Sequence, residues 1–356
     1  MGIFIDPDSN VPVGYCPAMP RKQPLPEMPF ITKIMVKLCP KIGAAAVVEP
    51  EFGYVGQITF RNGKRTFFRN RNSSINSHGV VEIARDKGYT SFFLRKMGYN
   101  APVEQTFFSD AWCKNLRSKR TIVAAGTFAS KLGYPVIVKP NHFSQGVLVT
   151  KAWNAREVRN VAKAILKRDS VALVQKFIPG RDYRIVVLDG DVISAYERIP
   201  LTVTGDGRKT VGQLLKDKQQ SFERSGRDTR LDLKDFRFQW KLRRLKMSLR
   251  SVLKKGEKIF LLDNANLSTG GDSVDVTPRV HQDYRKLVRS VARDMELRLC
   301  GIDIITSDIS KPLDPHHVIL EINAAPGLDH YASSGKKQQK IVEGLYLKVL
   351  KALERG

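Results

Sequence analysis

The chain has no apolar run of the roughly 18 residues that a membrane-spanning helix needs. Its opening, MGIFIDPDSNVPVGYCP, carries neither the basic stretch nor the apolar core of a secretory leader. Gly2 follows Met1, but Asp6 stands where a myristoylation signal wants Ser or Thr. Cysteine is scarce and scattered. Cys16, Cys39, Cys113 and Cys300 form no C-x-x-C pair, which argues against a zinc site and for a reducing compartment. These absences point to a cytoplasmic protein. No Ser-His or Cys-His pattern marks a covalent nucleophile.

Acidic residues are also short: 35 Asp/Glu stand against 60 Lys/Arg, a net charge of +25. Such an excess implies an anionic partner, whether nucleotide, nucleic acid, membrane surface or acidic substrate, or simply a well-solvated surface. It is concentrated in 208–258, where 17 Lys/Arg face 6 Asp/Glu. Helical stretches are expected there at about 211–218 and 238–253. In the second, Lys241, Arg243, Arg244, Lys246 and Arg250 alternate with Trp240, Leu242, Leu245 and Leu249. Such a helix could bind nucleic acid or a membrane surface, or cover part of the protein with its leucines while the cations stay in water. The second reading is favoured.

The 356 residues suit two to three domains. Residues 1–40 read as an irregular, proline-rich lead-in. A hairpin is expected in 52–70, turning at Arg61-Asn62-Gly63-Lys64. Apolar spacing through Val80, Val81, Ala84, Phe92 and Phe93 then places Lys87 near a helix start. A helix over 118–132 leads to a short strand, 136–140, that ends in Lys139. A polar loop, Asn141-His142-Phe143-Ser144-Gln145-Gly146, follows, and then a strand over 147–149. A cation at a strand end beside a turn of backbone N–H groups can grip phosphates. Another helix starts at about Asn154. The strand after it, 171–174, runs into Gln175-Lys176-Phe177-Ile178-Pro179-Gly180.

The hairpin 184–198 turns at Asp189-Gly190-Asp191 and leaves Arg184 and Arg198 near its open end. Two guanidinium forks there could clamp a carboxylate or phosphate, or be plain surface arginines. In the loop 264–272, Gly270-Gly271 lets backbone approach a ligand. Thr277-Pro278 predicts a helix start, and a last amphipathic helix is expected over 336–353. Two strands stand near the end. Gly301-Ile302-Asp303-Ile304-Ile305 buries a carboxylate. Val318 to Asn323 puts Glu321 and Asn323 on one face and Ile322 on the other. A carboxylate and an amide oxygen side by side suit Mg²⁺, which keeps waters and phosphates as its other ligands. The plain alternative is a strand with solvated polar residues.

Taken in order, the strand-end lysine, the polar loop, Q-K-F-I-P-G-R-D-Y-R, E-R-I-P, N-L-S-T-G-G, G-I-D-I and E-I-N-A-A-P-G resemble the ATP-grasp superfamily of carboxylate–amine ligases. The likeness is nearest to the ATP-grasp domain of cyanophycin synthetases and fused bacterial glutathione synthetases, over residues 87–335. The resemblance implies an α+β (α/β) ATP-grasp fold holding nucleotide between two α+β subdomains. The expected units are an N-terminal lead-in (1–85), a central lid subdomain (86–175) and a C-terminal subdomain (176–356) that carries the metal site and the basic insertion 208–258.

The resemblance also implies roles. Lys87, Lys139, Ser144 and Gly146 would bind phosphates. Gln175, Lys176, Phe177 and Ile178 would form the adenine hinge, with Asp182 near the ribose. Arg184 and Arg198 would steady the γ-phosphate or an acyl phosphate. Asp303, Glu321 and Asn323 would ligate Mg²⁺, or Mn²⁺ in its place. Asn266 and Gly271 would face the substrate. The implied reaction joins an amino acid or short peptide to an amine, with an acidic peptide or carrier protein as a further candidate partner and a homo-oligomer as a candidate assembly. The lid loop departs from the pattern: Gly146 is its one glycine where relatives have several, so it should make fewer phosphate contacts or be stiffer. A basic nucleic-acid- or ribosome-associated protein is the rival reading; it ranks lower because no aromatic-interleaved basic motif is present.

Overall fold

The computed structural model describes residues 28–227, 229–333 and 335–355. The expected lead-in over 1–27, with Cys16, lies outside them. Within 28–40 the lead-in is not irregular: Phe30–Leu38 is a helix. Its apolar residues Ile31, Ile34, Met35 and Leu38 recur at helical spacing and are buried against the C-terminal helix Lys336–Arg355. The two ends of the described chain therefore share one core. Four antiparallel strands complete this N-terminal part: β1 (Ala45–Val48), β2 (Val55–Thr59), β3 (Arg65–Arg69) and β4 (Asn72–Ser73). The β2–β3 turn falls at Asn62-Gly63, where Gly63 takes φ +80°.

The lid is a second antiparallel sheet, β5 (Glu104–Phe108), β6 (Val136–Pro140), β7 (Thr150–Ala152) and β8 (Val171–Lys176), in the order β5-β8-β6-β7. Alternation along its strands decides both faces. Val136, Val138, Ala172 and Val174 are buried under the helices Ile122–Leu132 and Ala155–Ile165. Ile137, Lys139, Leu173 and Gln175 point the other way. The expected strand at 147–149 is instead a series of turns, with Gly146 at φ +69° and Leu148 at φ +56°. Three apolar residues in a row look like a strand, but a backbone turning through the left-handed region cannot ladder.

The third sheet holds the site. Its strands are β9 (Arg181–Leu188), β10 (Asp191–Ile199), then, after the small pair β11 (Thr202–Thr204) and β12 (Lys258–Phe260), β13 (Asp272–Asp275), β14 (Leu299–Thr306) and β15 (Val318–Asn323). The order is β13-β10-β9-β14-β15. β14 is buried along its whole length, as its L-C-G-I-D-I-I-T sequence suggests. One face packs Tyr183, Ile185, Ile302 and Ile322 on the helices Gln282–Asp294 and Lys87–Lys96. The helix Lys87–Lys96, expected with the lid, thus belongs to this core through Leu94.

Two helix boundaries also differ. Thr277-Pro278 opens only a 3₁₀ turn, and the helix proper starts at Gln282 with His281 as its cap. The Thr277 hydroxyl is bonded elsewhere: it accepts from the Ala195 N–H and donates to Asp275. In the insertion, the helix Phe236–Arg244 ends well before 253, and Lys246 turns through φ +55°. It buries Phe238 and Leu242 in the insertion's own core, while Phe236 and Trp240 pack on the lid. The cover over the lid comes from these aromatics where leucines were expected; Leu245 is exposed, and Lys241 and Arg244 pair with Asp263 and Glu157. No helix among the described residues is long and apolar enough to cross a membrane.

Candidate active site

Register explains why distant charges meet. Arg184 pairs with Asp303 and with Tyr196, Asp182 pairs with Arg198, and Asp303 pairs with Glu321. Cross-strand partners share a face. Asp182, Arg184, Tyr196, Arg198, Asp303, Glu321 and Asn323 therefore line the sheet face opposite the Tyr183–Ile302 core. The lid's Lys139 and Gln175 look across at them.

Two cavities lie in the cleft between. The smaller, about 130 Å³, is walled by Ile137, Lys139, Gln175, Phe177, Ile178 and Asp182. The larger, about 310 Å³, is walled by Arg71, Arg85, Arg184, Asn323, Gly327 and Asp329 among others. Lys87, Phe143, Ser144, Gln145, Arg198, Asn266 and Glu321 line both, so the two cavities meet there.

Asp303 is fully buried (0% exposed). Arg184 grips it with two hydrogen bonds, Nε to Oδ1 at 2.6 Å and Nη2 to Oδ2 at 2.7 Å. Arg198 adds a third at 2.7 Å and also donates twice to Asp182. Burial pushes the Asp303 carboxyl up to about 6, against the pull of both guanidiniums. Glu321 is different: its side chain is 22% exposed and its nearest guanidinium nitrogen, on Arg184, is 3.5 Å away. Burial opposes its charge, but Lys87, Arg184 and Lys139 outweigh burial and hold it well below the usual carboxylate range. The Asn323 amide donates to it at 3.3 Å. Glu321 and Asn323 are thus presented as an oxygen pair that fits Mg²⁺. Asp303, expected as a third ligand, has both oxygens bonded by guanidinium: the register sets it beside Arg184, and Arg198 reaches it from β10 across β9. The arginines expected to meet phosphate are correspondingly engaged with carboxylates.

Lys139 is 5% exposed. Its Nζ donates to the Gln175 side chain and lies 3.9 Å from Glu104. Burial lowers the Lys139 pKa and raises that of Glu104. Lys87 sits at the first turn of its helix and donates from Nζ to the carbonyls of Asn141 (3.1 Å) and Phe143 (2.8 Å). The lid loop is pinned further. The Asn141 side chain bonds Asp86 and the Gly88 N–H, and His142 bonds Asp169 through both its backbone and its ring. At the tip, Ser268 Oγ donates to the Gln145 carbonyl at 3.0 Å and Arg237 of the insertion donates to the Gly146 carbonyl at 2.8 Å. The lid is closed.

Two expected residues lie elsewhere. Lys176 has an exposed side chain, and its backbone N–H already donates to the Val103 carbonyl at 2.9 Å. Only its carbonyl is left to read a base. Gly271 is buried among backbone: a Cβ there would stand 2.8–2.9 Å from the carbonyl oxygens of Ile199, Ala265 and Asn266. It shapes the loop and does not line either cavity, whereas Asn266 lines both. Sequence reasoning missed Arg71, Arg85, Tyr196 and Asn264. The one signal for the first was a second arginine in the turn R-N-R-N after the predicted hairpin.

A polar antiparallel sheet face covered by a second antiparallel sheet, with Lys139 and Gln175 opposite Glu321 and Asn323, is the layout of the ATP-grasp fold. The chain has the fold of this superfamily. The family model "D-ala D-ala ligase C-terminus" matches residues 93–206. Over 226 residues the chain is 35% identical to cyanophycin synthetase of Nostoc sp., covering 61% of this chain and 25% of that one. Over 281 residues it is 30% identical to the glutathione biosynthesis bifunctional protein of Streptococcus mutans, covering 76% and 36%. The crystal structure of a bifunctional glutathione synthetase from Pasteurella multocida superposes with a TM-score of 0.56 at 22% identity, covering 90% of this chain and 44% of that one. The chain spans about a quarter of the length of the cyanophycin synthetases it matches.

Proposed function

We propose that this chain is an ATP-dependent ligase that joins a carboxylate to an amine through an acyl phosphate. The observation that carries the reading is the meeting of two cavities at Lys87, Arg198 and Glu321. In it the nucleotide occupies the smaller cavity, with adenine at Gln175, Phe177 and Ile178 and the ribose near Asp182. Its phosphates run past Lys139, Ser144 and Gly146 to the junction. The acid and the amine occupy the larger cavity, with Asn266 between.

The chemistry accounts for the residue types. A carboxylate is a poor acyl donor at neutral pH. Its oxygen attacks the γ-phosphorus, the bond from that phosphorus to the β-phosphate oxygen breaks, and ADP leaves. The amine nitrogen then attacks the acyl carbon, phosphate leaves with its electron pair, and the nitrogen loses a proton to solvent. Both partners of the first step are anionic, so Lys87 and the Arg184–Arg198 pair lower their repulsion. Glu321 and Asn323 would hold Mg²⁺ or Mn²⁺, which supplies charge neutralisation for the triphosphate. Asp303 fixes both guanidiniums, Arg198 at the junction and Arg184 in the larger cavity. The docked lid excludes water from an acyl phosphate that water would destroy.

The substrate class is an amino acid or short peptide, with a carrier protein as the larger form of the acid, and one condensation per cycle. A phosphate-release screen of acids against amines, with mass spectrometry of the product, tests this. ADP and phosphate should appear only with both partners present, and Glu321→Ala should abolish them. No turnover across a broad panel of amino acids and peptides would sink the reading.

A further inference from the structure

We propose that Arg71 is the substrate-specificity residue of the larger cavity and binds a non-reacting carboxylate of one substrate. The proposal deepens the ligase reading and rests on it. Arg71 comes from outside the 93–206 match, on the turn that joins β3 to β4. Asn70 takes φ +52° there, a left-handed conformation that Asn tolerates, and the turn hands Arg71 to the cavity wall.

Its guanidinium rests on the segment that follows the Glu321–Asn323 pair. A Cβ built on Gly327 would lie 1.9 Å from Arg71 Nη1, so glycine at that position makes room for the guanidinium. The other cations of the cavity are already engaged. Arg184 and Arg198 bind Asp303, and Arg198 also binds Asp182. Arg85 bonds Glu82 and Asn72. Lys87 already donates to two backbone carbonyls and faces Glu321 at the junction. Arg71 has no ion-pair or hydrogen-bond partner among the described residues. A guanidinium on a cavity wall with its fork unused is matched by a planar carboxylate, which it can take in two parallel hydrogen bonds. The reacting carboxylate belongs at the junction beside Lys87 and Glu321. The group at Arg71 is therefore a second one: the side-chain or α-carboxylate of the acid, or the carboxylate of the amine.

The test uses the full chain with Arg71→Met and Arg71→Lys. For the pair found by the screen, Arg71→Met should raise KM of one substrate roughly 10- to 100-fold, the range expected for a lost charge-assisted pair. KM for ATP should stay within about twofold, and Arg71→Lys should recover part of the loss. Which KM moves tells whether the acid or the amine carries the carboxylate. The carboxamide analogue of that substrate should be discriminated against by the wild type and not by Arg71→Met. Unchanged KM values for both substrates overturn the proposal while leaving the ligase reading intact. An independent readout is calorimetric titration with L-glutamate, which carries both an amine and two carboxylates. Binding to the wild type that weakens at least tenfold in Arg71→Met supports the proposal, and equal binding or none overturns it. A wild type that turns over no acid–amine pair instead overturns the ligase reading itself.

Discussion

Gly146→Ala should unlatch the lid without unfolding the protein. Gly146 has φ +69°, which costs an L-residue about 1 kcal/mol or more. The new Cβ would stand 2.2 Å from Asn264 Nδ2 and 2.6 Å from Asn266 Oδ1. Both are side-chain ends, but Asn264 is buried and bonded to Asn266 and Thr269, so the tip is expected to back away from the 264–269 loop. Doing so gives up the Arg237 bond to the Gly146 carbonyl and the Ser268 bond to the Gln145 carbonyl. At roughly 1 kcal/mol for each bond, the closed state loses on the order of 3 kcal/mol in all. That is about two decades of population, since about 1.4 kcal/mol is tenfold. Amide exchange over 141–149 should accelerate about 100-fold and KM for ATP should rise roughly 10- to 100-fold. The melting temperature should barely move, because the lid's core of Val136, Val138, Ala172 and Val174 is untouched. Wild-type exchange in 141–149 together with a wild-type KM for ATP would refute this account of the latch.

Other perturbations separate structure from chemistry. Asp303→Ala leaves Arg184 and Arg198 buried without their shared counter-ion, a cost of roughly 3–5 kcal/mol, so a thermal melt should fall by on the order of 10 °C. The folded pKa of Glu321 lies below its ordinary 4.5, so its charge stabilises the fold above that pH and the contribution is lost as pH falls through and below it. Glu321→Gln should accordingly lose less stability than the wild type when denaturant melts are compared at about pH 6 and about pH 3. Burial pushes the thiols of Cys39 and Cys300 up to about 11 and about 12, so iodoacetamide at about pH 8 should label both only after unfolding, as peptide mapping would show.

Local pattern was enough for much of the site. The period of two along β15 puts Glu321 and Asn323 together on the face opposite Ile322. Apolar spacing in 80–93 correctly starts a helix at Lys87, and the strand before the polar loop, Val136–Pro140, carries Lys139 on its cleft side. What local pattern cannot supply is register. Asp303 reads as a buried ligand in G-I-D-I-I, but its neighbours are decided by β9 and β10, over a hundred positions away, and these bring two arginines. Arg71 is still more remote, since only the packing of the N-terminal sheet beside Gly327 carries it to the cavity. Turn chemistry accounts for the rest. Val147 to Val149 has strand-forming residues on a backbone that coils through positive φ, and the leucine pattern after Arg244 continues past the point where Lys246 turns.

The central claim is that a carboxylate oxygen attacks the γ-phosphorus of ATP. Isotope transfer tests it most directly. With the acid identified by the screen labelled with ¹⁸O in its reacting carboxylate, turnover with the amine should deliver one labelled oxygen into each phosphate released. Phosphate that carries no label while amide forms would contradict the account.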